Sequence, residues 1–204
     1  MKDIYIIEGT RTPMAEWIGG RAGNGQRGGA LAHLSAVELG ATATREALRR
    51  ADVEAAGVDH LILGNAVQTG SNPIYAARHV ALDAGCPITT PAMTVNRLCG
   101  SGIQAMISGA QLIALGEAKT VVAAGTESLS QAPFVVPGAR EGLRLGGGKL
   151  DDMLLAALTD ERAGCAMALT SDNLSRKYGV SRADQDAFAE RSHKAGARAT
   201  EDGT

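Results

Sequence analysis

Apolar and polar positions come in alternating blocks along the first 128 residues. Ile4 to Gly9, IYIIEG, is a short β-branched apolar run of the kind that forms a strand covered on both faces. After a Gly-rich stretch, Val37, Leu39, Ala43, Ala47 and Leu48 recur over the charged Arg45, Glu46, Arg49 and Arg50. That spacing predicts an amphipathic helix over Ala36 to Arg50, with Ser35 as its cap. HLILGNAV predicts a second strand, and IYAARHVALDAG a helix entered at Pro73 and stopped at Gly85. PAMTVN predicts a brief third strand. Then comes a nearly all-apolar segment, GIQAMISGAQLIALG, predicting a core helix that ends near Gly116, and TVVAAGTES predicts a buried fourth strand. Strands alternating with helices make this an α/β layered domain with parallel pairing.

Beyond Ser128 the texture changes. QAPFVVPGAREGLRLGGGKLDD is punctuated by Pro and Gly, and helical patterns follow it without further strands. Asp172 to Tyr178 predicts a short helix, and Ser181 with Asp184 forms a Ser-x-x-Asp variant of the capping box opening another. The expected division is an α/β domain over residues 1–128 and a mostly helical flap over 129–204.

Composition narrows the function. With 45% hydrophobic and 21% charged residues in 204, the chain is that of an ordinary globular protein. A net charge of -2 and 3% aromatic residues give neither a basic surface nor stacking platforms, so nucleic acid and anionic membranes are not expected partners. Cys86, Cys99 and Cys165 are odd in number and widely spaced, which fits a reducing compartment better than a disulfide scaffold. No CxxC or HExxH pattern suggests a metal. MKDIYIIEGTRTP does not show the long apolar run and small-residue cleavage site of a signal peptide, and no stretch is expected to approach a membrane-spanning length, so the expected location is cytoplasmic.

The chemistry concentrates at VNRLCGSGIQAM. Cys99 stands at the mouth of the apolar helix, where free N–H groups and the positive end of the helix dipole favour a thiolate. Gly100 and Gly102 leave space above the sulfur, and the Cys99 and Gly100 amides are candidate donors to an oxyanion. A buried structural cysteine is the bland alternative, and it is preferred for Cys86 and Cys165. A rival reading takes Gly100, Gly102 and Ala105 as G-x-G-x-x-A, with Glu127 some 20 residues on, as in a dinucleotide-binding domain.

The stretch VNRLCGSGIQAMISGAQLIALGEAKTVVAAGTESLSQAPF closely resembles the active-site segment of thiolases, with their V-N-x-x-C-(G/A)-S-(G/S) signature. RTPMAE resembles the N-terminal strand and loop of that family. GNAVQTGSNPIYAARHVALDAG resembles the segment before the nucleophile, and ALTSDNLSRKYGVSRADQDAFAERSHKA the flap helices. The resemblance implies a thiolase-like layered domain, a mixed five-stranded sheet with helices, plus the flap. It implies Cys99 as acyl acceptor in acyl transfer between coenzyme A and a 3-oxoacyl-CoA, or in condensation of two acetyl-CoA. Coenzyme A is then a substrate, with no bound cofactor and no metal. Leu158 and Met167 match positions lining the pantetheine or acyl pocket, though both also read as packing residues.

Departures accompany the likeness. The Asn-Glu-Ala-Phe, Gly-His-Pro and Cys-x-Gly-Gly-Gly motifs of the family's second half are not in these residues, and His33, His60, His79 and His193 read as packing or surface groups. The expectation is an N-terminal half with little turnover alone, joined by a second half or by copies of itself in a dimer or tetramer. The alternative is a non-catalytic docking module, whose interface could be the polar stripe Ser101, Gln104, Ser108 and Gln111. GGRAGNGQRG suggests an insertion, Ala166 stands where short-chain biosynthetic members carry His, and Thr126 replaces the usual Met.

Overall fold

A computed structural model of the chain describes residues 3–13 and 29–203; the insertion expected at residues 19–28 lies outside them. The chain divides into two compact units, Met1–Leu154 and Leu155–Thr204.

In the first unit, helix α1 (Ala36–Arg50) begins where its cap predicts. Ser35 accepts from the Glu38 amide while the Glu38 carboxylate accepts from the Ser35 amide, a complete capping box. Those bonds hold the Glu38 carboxyl below the usual carboxylate range. Strand β1 (His60–Gly64) follows, then a 3-10 turn opened by Pro73 leading into helix α2 (Ala76–Asp83). Strand β2 (Ala92–Val95), helix α3 (Ser101–Leu115) and strand β3 (Val121–Gly125) complete the parallel sheet, in the order β2-β1-β3.

Alternation along β1 sets the layers. Leu61 and Leu63 join Leu48 of α1 and Ala77, Val80 and Ala81 of α2 in one apolar cluster. Ile62 and Gly64 therefore face the opposite side, where α3 lies. Leu61, Ile62 and Leu63 are completely buried, and each contributes about 1.5–3 kcal/mol relative to exposure. Gly40 lets α1 approach, since a Cβ there would stand 3.1 Å from Val80 Cγ2.

Helix α3 differs from the expected core helix. Ser101, Ala105 and Gly109, four apart, form its buried edge, and a Cβ on Gly109 would meet Val121 Cγ1 at 3.0 Å. Its larger side chains point away, leaving Ile103 63% and Ile107 47% exposed. Small residues dock a helix closely, so the bulk of the apolar surface stays on the outer face. The stretch Leu98–Leu115, with mean hydropathy 1.4, is also long and apolar enough by length and composition to cross a membrane, a length the sequence expectation did not credit it with.

Two further expectations change. Ile4 to Gly9 forms no strand, and Tyr5, Ile6 and Ile7 are exposed, because no described segment pairs with it; strand propensity does not supply a partner. The sheet is accordingly three-stranded and parallel among the described residues, where five mixed strands were expected. Past residue 128 a short ribbon pairs β4 (Phe134–Val135) with β5 (Asp151–Asp152), and helix α4 (Met153–Ala157) follows.

The second unit contains a small antiparallel ribbon, β6 (Thr159–Asp160) with β7 (Cys165–Ala166), which the helical pattern did not signal. Helix α5 (Met167–Tyr178) ends on Gly179 in the left-handed region, φ 65°. Helix α6 (Arg182–Asp202) opens with the expected Ser181–Asp184 capping box.

Candidate active site

All three parallel strands run toward one edge, and the loops leaving that edge carry the polar residues. In open α/β sheets this carboxyl edge is where ligands bind. The β2 exit, Asn96 to Gly100, brings Cys99 there, exposed, two residues before α3.

The turn around Cys99 is tightly specified. Leu98 has φ 50°, a left-handed conformation costing about 1–2 kcal/mol for a side-chain-bearing residue. Asn96 Oδ1 accepts from the Leu98 amide at 2.9 Å, and Ser101 Oγ accepts from the Arg97 amide and donates to Leu98 O. Ser101 is thus consumed as the lock of this turn and is buried, so the predicted polar stripe does not present it outward. Gln104 and Ser108 bond to each other, and the Arg97 guanidinium donates to Gln104 Oε1.

The candidate oxyanion donors differ. The Gly100 amide already donates to Arg97 O at 3.1 Å, which turns it into the loop. The Gly102 and Ile103 amides, in the first turn of α3, have no acceptor among the described residues. A Cβ on Gly102 would meet nothing within 4 Å, so the space beside this turn is open.

Beneath Cys99 the backbone layers touch. A Cβ on Gly64 would lie 2.6 Å from Ser101 C and 2.7 Å from Gly102 N, so the end of β1 supports the first turn of α3 directly. Gly125 at the end of β3 lies beside it, where a Cβ would be 3.5 Å from Gly102 Cα.

Glu127 takes a role that the sequence did not reveal. Its carboxylate accepts from Asn65 Nδ2 (2.7 Å), the Ala66 amide (2.9 Å) and the Val67 amide (3.0 Å). A carboxylate engaged by three donors of its own chain is not available to a ribose, which removes the acidic arm of the dinucleotide reading. Its only sequence signal is a carboxylate directly after a strand end with no cation nearby. Asn65, almost fully buried, also donates to Thr126 O, while its Oδ1 has no partner among the described residues. Thr126 donates to Ala36 O at 2.7 Å and packs against Gly40, so it ties β3 to α1.

The other predicted residues are placed elsewhere. Cys86 is buried in the core cluster, where burial pushes its thiol up. His60 sits at the far, amino end of β1, and His79 lies against the Tyr75 ring. In the second unit the structure brings Leu158 and Met167 together: the Met167 amide donates to Leu158 O at 2.9 Å, and both side chains are about half exposed. Cys165 Sγ there contacts Thr170 Oγ1 at 3.4 Å.

The profile of the family described as thiolase, N-terminal domain, matches residues 4–204. The chain belongs to the thiolase family. It is 41% identical over 193 residues to the beta-ketothiolase BktB of Cupriavidus necator, which covers 95% of this chain and 46% of that protein. It is 43% identical over 206 residues to an acetyl-CoA acetyltransferase of Pseudomonas aeruginosa, covering 100% and 49%. The structure superposes on human mitochondrial 3-ketoacyl-CoA thiolase in complex with CoA with TM-score 0.87 and 40% identity, over 97% of this chain and 48% of that one. This thiolase chain thus has the thiolase fold and spans about half the length of the curated relatives it matches.

Proposed function

We propose that this chain supplies the acyl-accepting half of a thiolase-type active site, with Cys99 as nucleophile and an acyl-CoA thioester as substrate. The observation that carries the reading is an exposed thiol at the carboxyl edge of a parallel sheet, on a specified turn at the mouth of a helix, in a chain of this family. Cys99 Sγ attacks the thioester carbonyl, the C–S bond to coenzyme A breaks, and coenzyme A leaves as thiolate, taking up a proton. The acyl group then passes to coenzyme A or to the carbanion of acetyl-CoA. The Cys99 amide, with the unpartnered Gly102 and Ile103 amides near it, is the proposed source of oxyanion donors.

No histidine among the described residues of the first unit lies on the turn that carries Cys99, so the base for the second step is proposed to come from further thiolase sequence. The segment after residue 128 is proposed as the flap, with Leu158 and Met167 as exposed apolar contacts for a pantetheine or acyl chain. The relatives' names span beta-ketothiolase and acetyl-CoA acetyltransferase, so 3-oxoacyl-CoA and acetyl-CoA are the proposed substrates. A docking role is favoured by a separate observation, the exposed Ile103 and Ile107 on α3, which protein, either a second copy or further thiolase sequence, is proposed to cover.

Intact mass and peptide mapping after incubation with acetyl-CoA and acetoacetyl-CoA test the reading. Acetyl on Cys99, lost in Cys99→Ala, is the expected result. A folded chain that gains no acetyl on Cys99, alone or with a separately made thiolase second half, would overturn it and favour the docking module.

A further inference from the structure

Cys99 is separated from Glu127 by the whole of α3 and β3, yet a short chain of hydrogen bonds connects them. The Ala66 peptide is the link. Its N–H donates to Glu127 Oε2 at 2.9 Å, and its C=O accepts from Asn96 Nδ2 at 3.0 Å. Asn96 then uses Oδ1 to accept from the Leu98 amide at 2.9 Å, one residue before Cys99. Glu127 is itself fixed by Asn65 Nδ2 and the Val67 amide, and Asn65, almost fully buried, anchors this end to Thr126 O. Resting on the acyl-transfer reading, we infer that Glu127 and Asn96 are positioning residues for Cys99, acting together through the Ala66 peptide.

The physical case rests on what each bond resists. Leu98 is held at φ 50°, a conformation the backbone leaves when its restraints are removed. The Leu98 amide has Asn96 Oδ1 as its acceptor, and Asn96 is exposed, so its amide group is free to turn unless Ala66 O holds it. Ala66 O in turn is fixed only as well as the loop 65–69, and that loop is tied across to the β3 exit by Glu127. A glutamine at 127 cannot reproduce this. It offers one acceptor oxygen, and its NH2 group faces either the Ala66 N–H or the Val67 and Asn65 donors. Releasing the turn moves the sulfur relative to the α3 amides, and small displacements of a reacting group are costly.

The test uses the whole chain with Glu127→Gln, Asn96→Asp and the double variant, and Asp59→Asn as a control that weakens the fold just before β1 and β3 begin, at the opposite end of the strands from Cys99. Asn96→Asp keeps an acceptor for Leu98 but removes the donor to Ala66. Two quantities are read: amide exchange at Leu98, and the rate of Cys99 acetylation by acetyl-CoA. The expected result is exchange at Leu98 about 10-fold faster in Glu127→Gln. Cys99 acetylation should be about 10- to 100-fold slower in each single variant, with no further loss in the double variant because both act through one peptide. Asp59→Asn should leave both unchanged.

Leu98 exchange at the wild-type rate in Glu127→Gln overturns the inference alone, whatever acetylation does. Wild-type acetylation in the variants, or losses that multiply in the double variant, overturns it too. Wild-type chain unacetylated at Cys99, both alone and with a separately made thiolase second half, instead overturns the acyl-transfer reading, and the positioning role with it; the Leu98 exchange result tells the two failures apart.

Discussion

Gly64→Ala should be among the most damaging single-methyl additions to this protein. Gly64 does not need glycine for its backbone angles, since its φ lies outside the left-handed region. The constraint is the floor it makes for α3: an added Cβ would lie 2.6 Å from Ser101 C and 2.7 Å from both Ser101 O and Gly102 N. Carbon contacts settle at about 3.5–4.0 Å, so three backbone atoms must each retreat by about 1 Å. None belongs to a flexible side chain. Overpacking of this kind costs about 1–3 kcal/mol, and the upper end applies because the clash is with backbone. Loss of glycine's entropy in the unfolded chain returns about 0.4–1 kcal/mol, leaving a net destabilisation of about 2 kcal/mol. Gly125→Ala is the matched comparison, with its nearest contact at an ordinary 3.5 Å, and should fall within about 0.5 kcal/mol of wild type. Urea denaturation at constant slope reads both. Equal midpoints for the two variants would refute the claim that the end of β1 supports the turn bearing Cys99.

Leu61→Ala, which empties a completely buried position against α1 and α2, should cost about 2–5 kcal/mol by the same assay. Ser35→Ala breaks the α1 capping box and should cost about 1 kcal/mol. Asp59 accepts from the Lys119 and Thr120 amides, and these bonds hold its carboxyl below the ordinary 3.8. Because the folded value is the lower one, its contribution is present at neutral pH and fades as pH falls through that lowered value. Asp59→Asn should therefore lower the denaturation midpoint at pH 7 and converge with wild type in acid. Iodoacetamide should label exposed Cys99 in the native protein, whereas Cys86, buried and with its thiol pushed up, should react only on unfolding; equal labelling would contradict the core placement.

What was legible in the sequence was local. The α1 cap rests on Ser35 and Glu38, three residues apart, and the α6 cap on Ser181 and Asp184, so both helix starts could be read directly. HLILG reads as a buried strand because covering on both faces leaves an unbroken apolar run. Pairing is not local, and Ile4 to Gly9 shows the limit: its composition favours a strand, but a strand forms only against a partner. Composition also concealed the orientation of α3, where the deciding positions were the small Ser101, Ala105 and Gly109 rather than the large apolar residues. At the site, the position of Cys99 before a helix was legible, whereas Glu127 was read toward a nucleotide because its partners, Asn65 to Val67, lie some 60 residues away.

The strand order has a consequence for how the molecule comes together. Leu61 in the central strand pairs with Ala92 on one side and Val122 on the other, so neither pairing forms until a long intervening segment has been brought back across the sheet. Closing such loops is slow, while the capped helices α1 and α6 need only their own residues. On a ribosome, β1 and α2 emerge before either neighbour of β1 is available, and the ties from Glu127 arrive after β3. The turn carrying Cys99 is therefore completed late in biogenesis, so a nascent chain exposes the apolar Leu61–Leu63 run of the central strand well before that turn is in place.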